Sequence, residues 1–242
     1  MDNFLKIIRK SHIVFLFLLF LIIPGCSKKH DVNNNTQNDI WDIDKDGIPK
    51  FVNTNYIELS KIDSISKFRS SVGHDYSDSY EQCRSMKHYF MPKTSVDWAT
   101  VQIFSPVSGT ITRVEPESIG GTKIEIASDD YPAFRISIFH INLQGTRNVD
   151  DKISAGELLG THIGSLTYSD VSVIVNDPTK QGRMVSWFDV ITDNVFSEYS
   201  ARGVSSRSAM MISKSDRDAH PLTCSGDTFT SIDPLERWVN LN

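Results

Sequence analysis

The acidic run Asp42-Ile43-Asp44-Lys45-Asp46-Gly47 is the first stretch whose residue types and spacing suggest chemistry. Alternate carboxylates followed by glycine match positions 1, 3, 5 and 6 of a calcium-binding loop. There, oxygen donors wrap a hard divalent cation and glycine makes the sharp turn. The later donors are missing, since Lys50 stands at position 9 and Asn53 at position 12. The same residues also read as an acidic turn shaped by Asp46-Gly47 and Pro49. A second group is thiol chemistry. Cys83 and Cys224 have no Cys-x-x-Cys partner, so one disulfide between them is expected, with two free thiols or metal ligation as the alternatives. A third is imidazole chemistry. His74 precedes Asp75 and Asp78, His140 sits inside the apolar run Phe134–Leu143, and His88, His162 and His220 stand outside any motif. Without further context each is a loop or core histidine.

The elements that must position these groups follow from the patterning. Lys6, Arg9 and Lys10 precede an unbroken apolar run, Ile13 to Ile23, which is too short for a membrane-spanning helix of about 20 residues. It ends Pro24-Gly25-Cys26, and this resembles a bacterial lipoprotein signal in which Cys26 becomes the lipidated first residue. An ordinary secretory signal is the alternative. Ser27, rather than Asp, after the cysteine favours the outer membrane over retention at the inner one. Residues 1–25 hold three basic residues and one acidic one, so the remainder carries 22 Lys+Arg against 29 Asp+Glu. No basic run extends beyond Lys28-Lys29, which argues against nucleic-acid binding.

Residues 26–40 are polar and Asn-rich and read as a flexible tether. Residues 41–98 hold the acidic turn and a helical or loop segment. Ile62, Ile65 and Phe68 are spaced for one face of a short helix there. Residues 99–180 are the β-core. Strands are expected at Val101–Phe104, Thr110–Val114, Thr122–Ala127, Phe134–Leu143 and Val171–Val175, punctuated by Gly, Pro and Asp turns. Strict alternation places His140 on one face with Phe134, Ile136 and Ile138. Residues 181–242 close the domain. Phe188, Ile191, Val195 and Tyr199 share one helical face, and Asp233-Pro234 opens a last helical turn. The fold class expected is mainly β, an antiparallel β-sandwich or barrel-sandwich hybrid with a few peripheral helices.

Taken in order, His74-x-x-x-Asp78, Ser105-Pro-Val-Ser-Gly-Thr-Ile111, Gly121-Thr-Lys-Ile-Glu-Ile126, Ile138-Phe-His-Ile-Asn-Leu143 and Ala155-Gly-Glu-Leu-Leu-Gly160 resemble the lysostaphin-like (LytM-type) zinc metallopeptidases. The resemblance covers roughly residues 74–176 and implies their duplicated-hybrid-motif core. It makes His74 and Asp78 the first two zinc ligands, His140 the strand-end histidine that steadies polarised water or oxyanion, and Asp170 a substitute base or ligand. The family's final His-x-His strand is absent. Asp170 and Ser172 occupy that face, and serine is a poor zinc ligand. His88 and His162 are further substitutes for the third ligand. Two readings follow. One is a non-catalytic module binding peptidoglycan or an envelope protein. The other is a zinc-dependent peptidoglycan endopeptidase with a rebuilt site. Arg69, Arg84 and Lys87 flank the His74 segment as a solvated face or as an anchor for a peptide carboxylate. The same turns occur in biotinyl and lipoyl carriers, but the hairpin Ala127–Tyr131 has no lysine to carry the group.

Overall fold

The computed structural model describes residues 39–242. The signal segment, Cys26 and nearly all of the tether lie outside them. A one-turn helix α1 (Ile43–Asp46) is followed by strands β1 (Ile62–Ser66) and β2 (His88–Pro92). Then come β3 (Gln102–Phe104), β4 (Gly109–Pro116), β5 (Thr122–Ser128) and β6 (Phe134–Leu143). Strands β7 (Lys152–Ile153), β8 (Leu158–His162), β9 (Ser169–Asn176) and β10 (Gln181–Val185) complete the centre. Helices α2 (Trp187–Val190), α3 (Asp193–Ser200) and α4 (Lys214–Ala219) follow. The chain closes with a hairpin of β11 (Cys224–Ser225) and β12 (Thr228–Phe229), then β13 (Trp238–Asn240).

All strands except β11 and β12 join one antiparallel sheet, whose main path runs β13-β1-β2-β9-β6-β5-β4-β7. The fold is mainly β, and the sheet does not close into a barrel. Two strands are shared lengthwise. On one edge of β9, β2 pairs with Ser169–Val171 and β10 with Val173–Asn176. On one edge of β6, β9 pairs with Phe134–Ile138 and β8 with Ile141–Leu143. One face of the sheet is apolar. Ile124, Ile126, Ile136, Ile138, Val171 and Val173 are all fully buried there, in one core with Trp187, Phe188 and Tyr199 of α2 and α3. The opposite face presents Glu125, Ser137, Asp170 and Ser172, because side chains alternate along a strand.

Three expectations change. Ile62 and Ile65 belong to a strand, not a helix. Two residues of β1 oppose one of β2 between Ile62↔Pro92 and Ser64↔Met91, and this bulge turns a period of two into a spacing of three. The helical stretch from Phe188 to Tyr199 is broken at Ile191 and Thr192. The Thr192 hydroxyl caps α3, and Phe188, Ile191, Val195 and Tyr199 are all buried. Asp233-Pro234 opens no helix. The residues after it form β13, which pairs Ser64–Ser66 of β1 with Trp238–Asn240.

Candidate functional site

The polar face of the sheet floors a cleft of about 680 Å³. Its walls are the Gly73–Tyr76 loop, the turn after β4 (Glu117 to Ile119) and the loop before β9 (Ser165 to Tyr168). Lys87, Phe139, His140 and Asp170 form the floor, and Trp98 stands at the rim.

A bulge in β6 brings His140 here. Thr122 pairs with Ile141 but Ile124 pairs with Ile138, so β6 carries an extra residue between them. His140 takes the left-handed backbone at φ 60°, and its N–H donates to Glu117 Oε2 at 2.6 Å. Ile138 and Ile141 both stay in the apolar core, while Phe139 and His140 both face the cleft. Strict alternation would have placed His140 with Ile138. The bulge reverses that parity, as one extra residue must.

At the floor, Lys87 Nζ lies 2.7 Å from Asp170 Oδ2. Lys87 is 2% exposed and Asp170 fully buried. The ammonium also sits 3.5 Å from the centroid of Phe139 and 4.1 Å from that of Tyr76. Electron-rich ring faces attract a cation most strongly when water is excluded. The other carboxylate oxygen, Asp170 Oδ1, accepts no hydrogen bond and lies 3.3 Å from His140 Nε2 without hydrogen-bond alignment. His140 Nδ1 lies 3.3 Å from Glu117 Oε2. The four groups thus form a row, Lys87–Asp170–His140–Glu117. Burial disfavours the Glu117 carboxylate, but the side chain and N–H of His140 outweigh it and hold its pKa below the ordinary value. Burial raises the phenols of Tyr76 and Tyr89, with Asp170 adding to the effect, so both stay neutral.

The other candidate residues are spread out. His74 lines the cleft, its Nδ1 3.0 Å from the carbonyl of Asp75. Asp78 does not line it. Its Oδ1 accepts from the N–H groups of Tyr80 and Glu81, and its Oδ2 from Met184 N–H at 2.9 Å. His88 lies on the core side, between Ser66 O and the Ser186 hydroxyl at 2.8 Å each. Buried His162 is held neutral, its pKa pushed down to about 4 by burial. Asp42 caps α1 by accepting from Lys45 N–H, and Asp44 pairs with Lys180 and Arg183, so the acidic run does not converge. Arg69 and Arg84 are both spent on Glu81, outside the cleft. Cys83 and Cys224 are bonded to each other.

Among the described residues no group of three or more His, Cys, Asp or Glu side chains is arranged to hold a metal ion. The chemistry agrees. Asp78 is saturated by three backbone N–H groups, Ser172 stands where the resemblance needs a histidine, and Asp170 already carries an ammonium. These residues do not fit a zinc ion. Glu117, Tyr76 and Phe139 were not among the candidates, and Lys87, expected on a solvated face or as an anchor for a peptide carboxylate, is instead buried against Asp170. One signal was available, Lys87 and His88 together between Met86 and the apolar Tyr89-Phe90-Met91, because a charge in such a strand must face a partner.

No protein-family model matches the chain. No curated protein sequence matches it either. Solved structures similar in fold over part of the chain include the lytM protein of Ruminococcus gnavus, at 16% identity and TM-score 0.33, covering 41% of this chain and 42% of that one. The chain thus spans less than half of that protein's length. The catalytic domain of lysostaphin from Staphylococcus simulans is similar at 17% identity and TM-score 0.30, covering 45% of this chain and 87% of that one. The SpoIIQ–SpoIIIAH pore-forming complex yields a chain similar at 13% identity and TM-score 0.42, covering 62% of this chain and 96% of that one.

Proposed function

We propose that this protein is exported, anchored to the bacterial envelope through a lipid on Cys26, and binds peptidoglycan or an envelope protein through the cleft without hydrolysing it. The observation that carries the reading is the Lys87–Asp170 pair. Activation of water by a metal needs several carboxylate or imidazole ligands converging on one ion, and among the described residues no three do so. Here the one carboxylate on the floor is neutralised by a side chain of the same protein. The export and anchoring parts rest on the apolar segment and Cys26, and an outer-membrane destination on Ser27.

The test is the full chain purified in detergent, assayed for zinc by elemental analysis and incubated with isolated sacculi. The expected result is substoichiometric zinc, co-sedimentation with the sacculi or capture of one envelope protein, and no release of soluble fragments. Stoichiometric zinc together with fragment release would overturn the reading in favour of a zinc endopeptidase. Cys26→Ser is expected to move the protein out of the membrane fraction. Unchanged partitioning would overturn the anchor.

A further inference from the structure

We propose that the outer half of this cleft is a receptor for a primary ammonium group, from a lysine-type side chain or a free chain terminus. The proposal rests on the reading of the cleft as a binding site and names what that site recognises.

The inner half of the cleft already holds such a group. Lys87 Nζ lies on a carboxylate with two aromatic faces around it. Other residues lining the same cleft offer a carboxylate and aromatic rings without a lysine or arginine. Glu117 supplies the carboxylate, with its side chain 16% exposed and Oε2 taken by the N–H of His140. Trp98 and Tyr168 supply the rings, their centroids 6.0 Å apart. Among the described residues lining the cleft, Lys87 is the sole lysine or arginine, against two carboxylates. The lining thus carries one more carboxylate than lysine or arginine side chains.

A second, independent observation points to a donor from outside. Asp170 Oδ1 is buried, faces the cleft and accepts no hydrogen bond. A buried acceptor without a donor is costly, and native structures rarely keep one. An ammonium beside Glu117 would balance the charge, and a further ligand N–H reaching Asp170 Oδ1, on the other side of the His140 ring, would supply the missing donor. An anionic ligand would meet Glu117 and find Lys87 already paired.

Isothermal titration calorimetry of the full chain in detergent tests this with Nα-acetyl-lysine methylamide, its uncharged isostere Nα-acetyl-norleucine methylamide, glycylglycine amide and Nα-acetyl-glutamate methylamide. The lysine probe or the glycylglycine probe is expected to bind at least about tenfold tighter than the norleucine isostere. Which of the two binds identifies side chain or terminus as the source. Glu117→Gln is expected to abolish the preference, and Trp98→Leu to weaken the ammonium probe several-fold. An unfolding curve of each variant separates lost binding from lost fold. Equal binding of the norleucine isostere, or tighter binding of the glutamate probe, would overturn the proposal. Ammonium binding without sacculus or partner binding would sink only the envelope reading. Sacculus binding without ammonium preference would sink only the receptor.

Discussion

The ammonium of Lys87 and the carboxylate of Asp170 meet at 2.7 Å across adjacent strands, with both side chains shut off from water. Tyr89 of β2 pairs with Asp170 of β9, so Lys87, two residues earlier on the same face, reaches diagonally to the carboxylate.

Breaking this pair from one side leaves a charge stranded in the floor. Lys87→Ala is expected to cost about 3–5 kcal/mol in urea unfolding, and Asp170→Ala a similar amount. The double variant Lys87→Met/Asp170→Leu, which removes both charges and keeps the volume, is expected to recover most of that loss. A single variant costing less than about 1 kcal/mol would show that water reaches the pair in solution.

The Cys83–Cys224 bond spans a sequence separation of 141 residues. In the chain-entropy picture closing such a loop stabilises by up to about 5 kcal/mol. Cys83→Ser is expected to lower the urea midpoint and to abolish the mobility shift on reduction. The bond also fixes the β11–β12 hairpin, whose Asp227 carbonyl accepts from Asp75 N–H at 2.6 Å. Hydrogen exchange in the Gly73–Tyr76 loop is therefore expected to quicken in the variant, a local effect that a purely entropic cross-link would not produce.

His88 carries a pH dependence. Burial pushes its pKa down to about 4, against an ordinary 6.5, and His162 is lowered to about 4 in the same way. The folded state favours neutral rings, so the unfolded chain binds more protons below pH 6.5. Stability is thus complete above the unfolded value and is lost as pH falls from about 6.5 towards 4. Each histidine adds a slope of up to about 1.4 kcal/mol per pH unit in that window. His88→Gln is expected to remove about half of the two-histidine slope between pH 6.5 and 5, measured by urea unfolding at several pH values. An unchanged slope would place the proton uptake elsewhere.

Gly109 tests the turn that leads into β4. A Cβ there would sit 2.1 Å from the carbonyl oxygen of Ala127 on β5, which is backbone and cannot rotate away. Gly109→Ala is expected to destabilise by about 1–3 kcal/mol. Gly145→Ala, at a position with open space but φ 76°, isolates the conformational cost alone and is expected to lose about 1 kcal/mol.

Much of the sheet was legible because its strands alternate. Phe134–Leu143 was located to the residue, and β4, β5 and β9 to within about two. The misreadings coincide with bulges and caps. Ile62 and Ile65 mimic a helical spacing because one residue is extra, and Thr192 interrupts a helical face that the apolar pattern runs straight through. His140 was found as a candidate, but on the wrong face of its strand for the same kind of reason.

The sequence by itself determined the strand-rich class and the two cysteines available for bridging. These depend on residue type and short-range order, which periodicity and composition carry directly. Only the tertiary structure decided which side chains meet. Lys87 and Asp170 are 83 residues apart in the chain, and whether an ammonium faces solvent or a buried carboxylate depends on strand register. Likewise nothing near Asp78 in the sequence announces that the N–H of Met184 will claim its carboxylate. Long-range pairing assigns each polar group its partner, and that assignment turned a set of plausible metal ligands into a cleft floored by a cation of the protein's own.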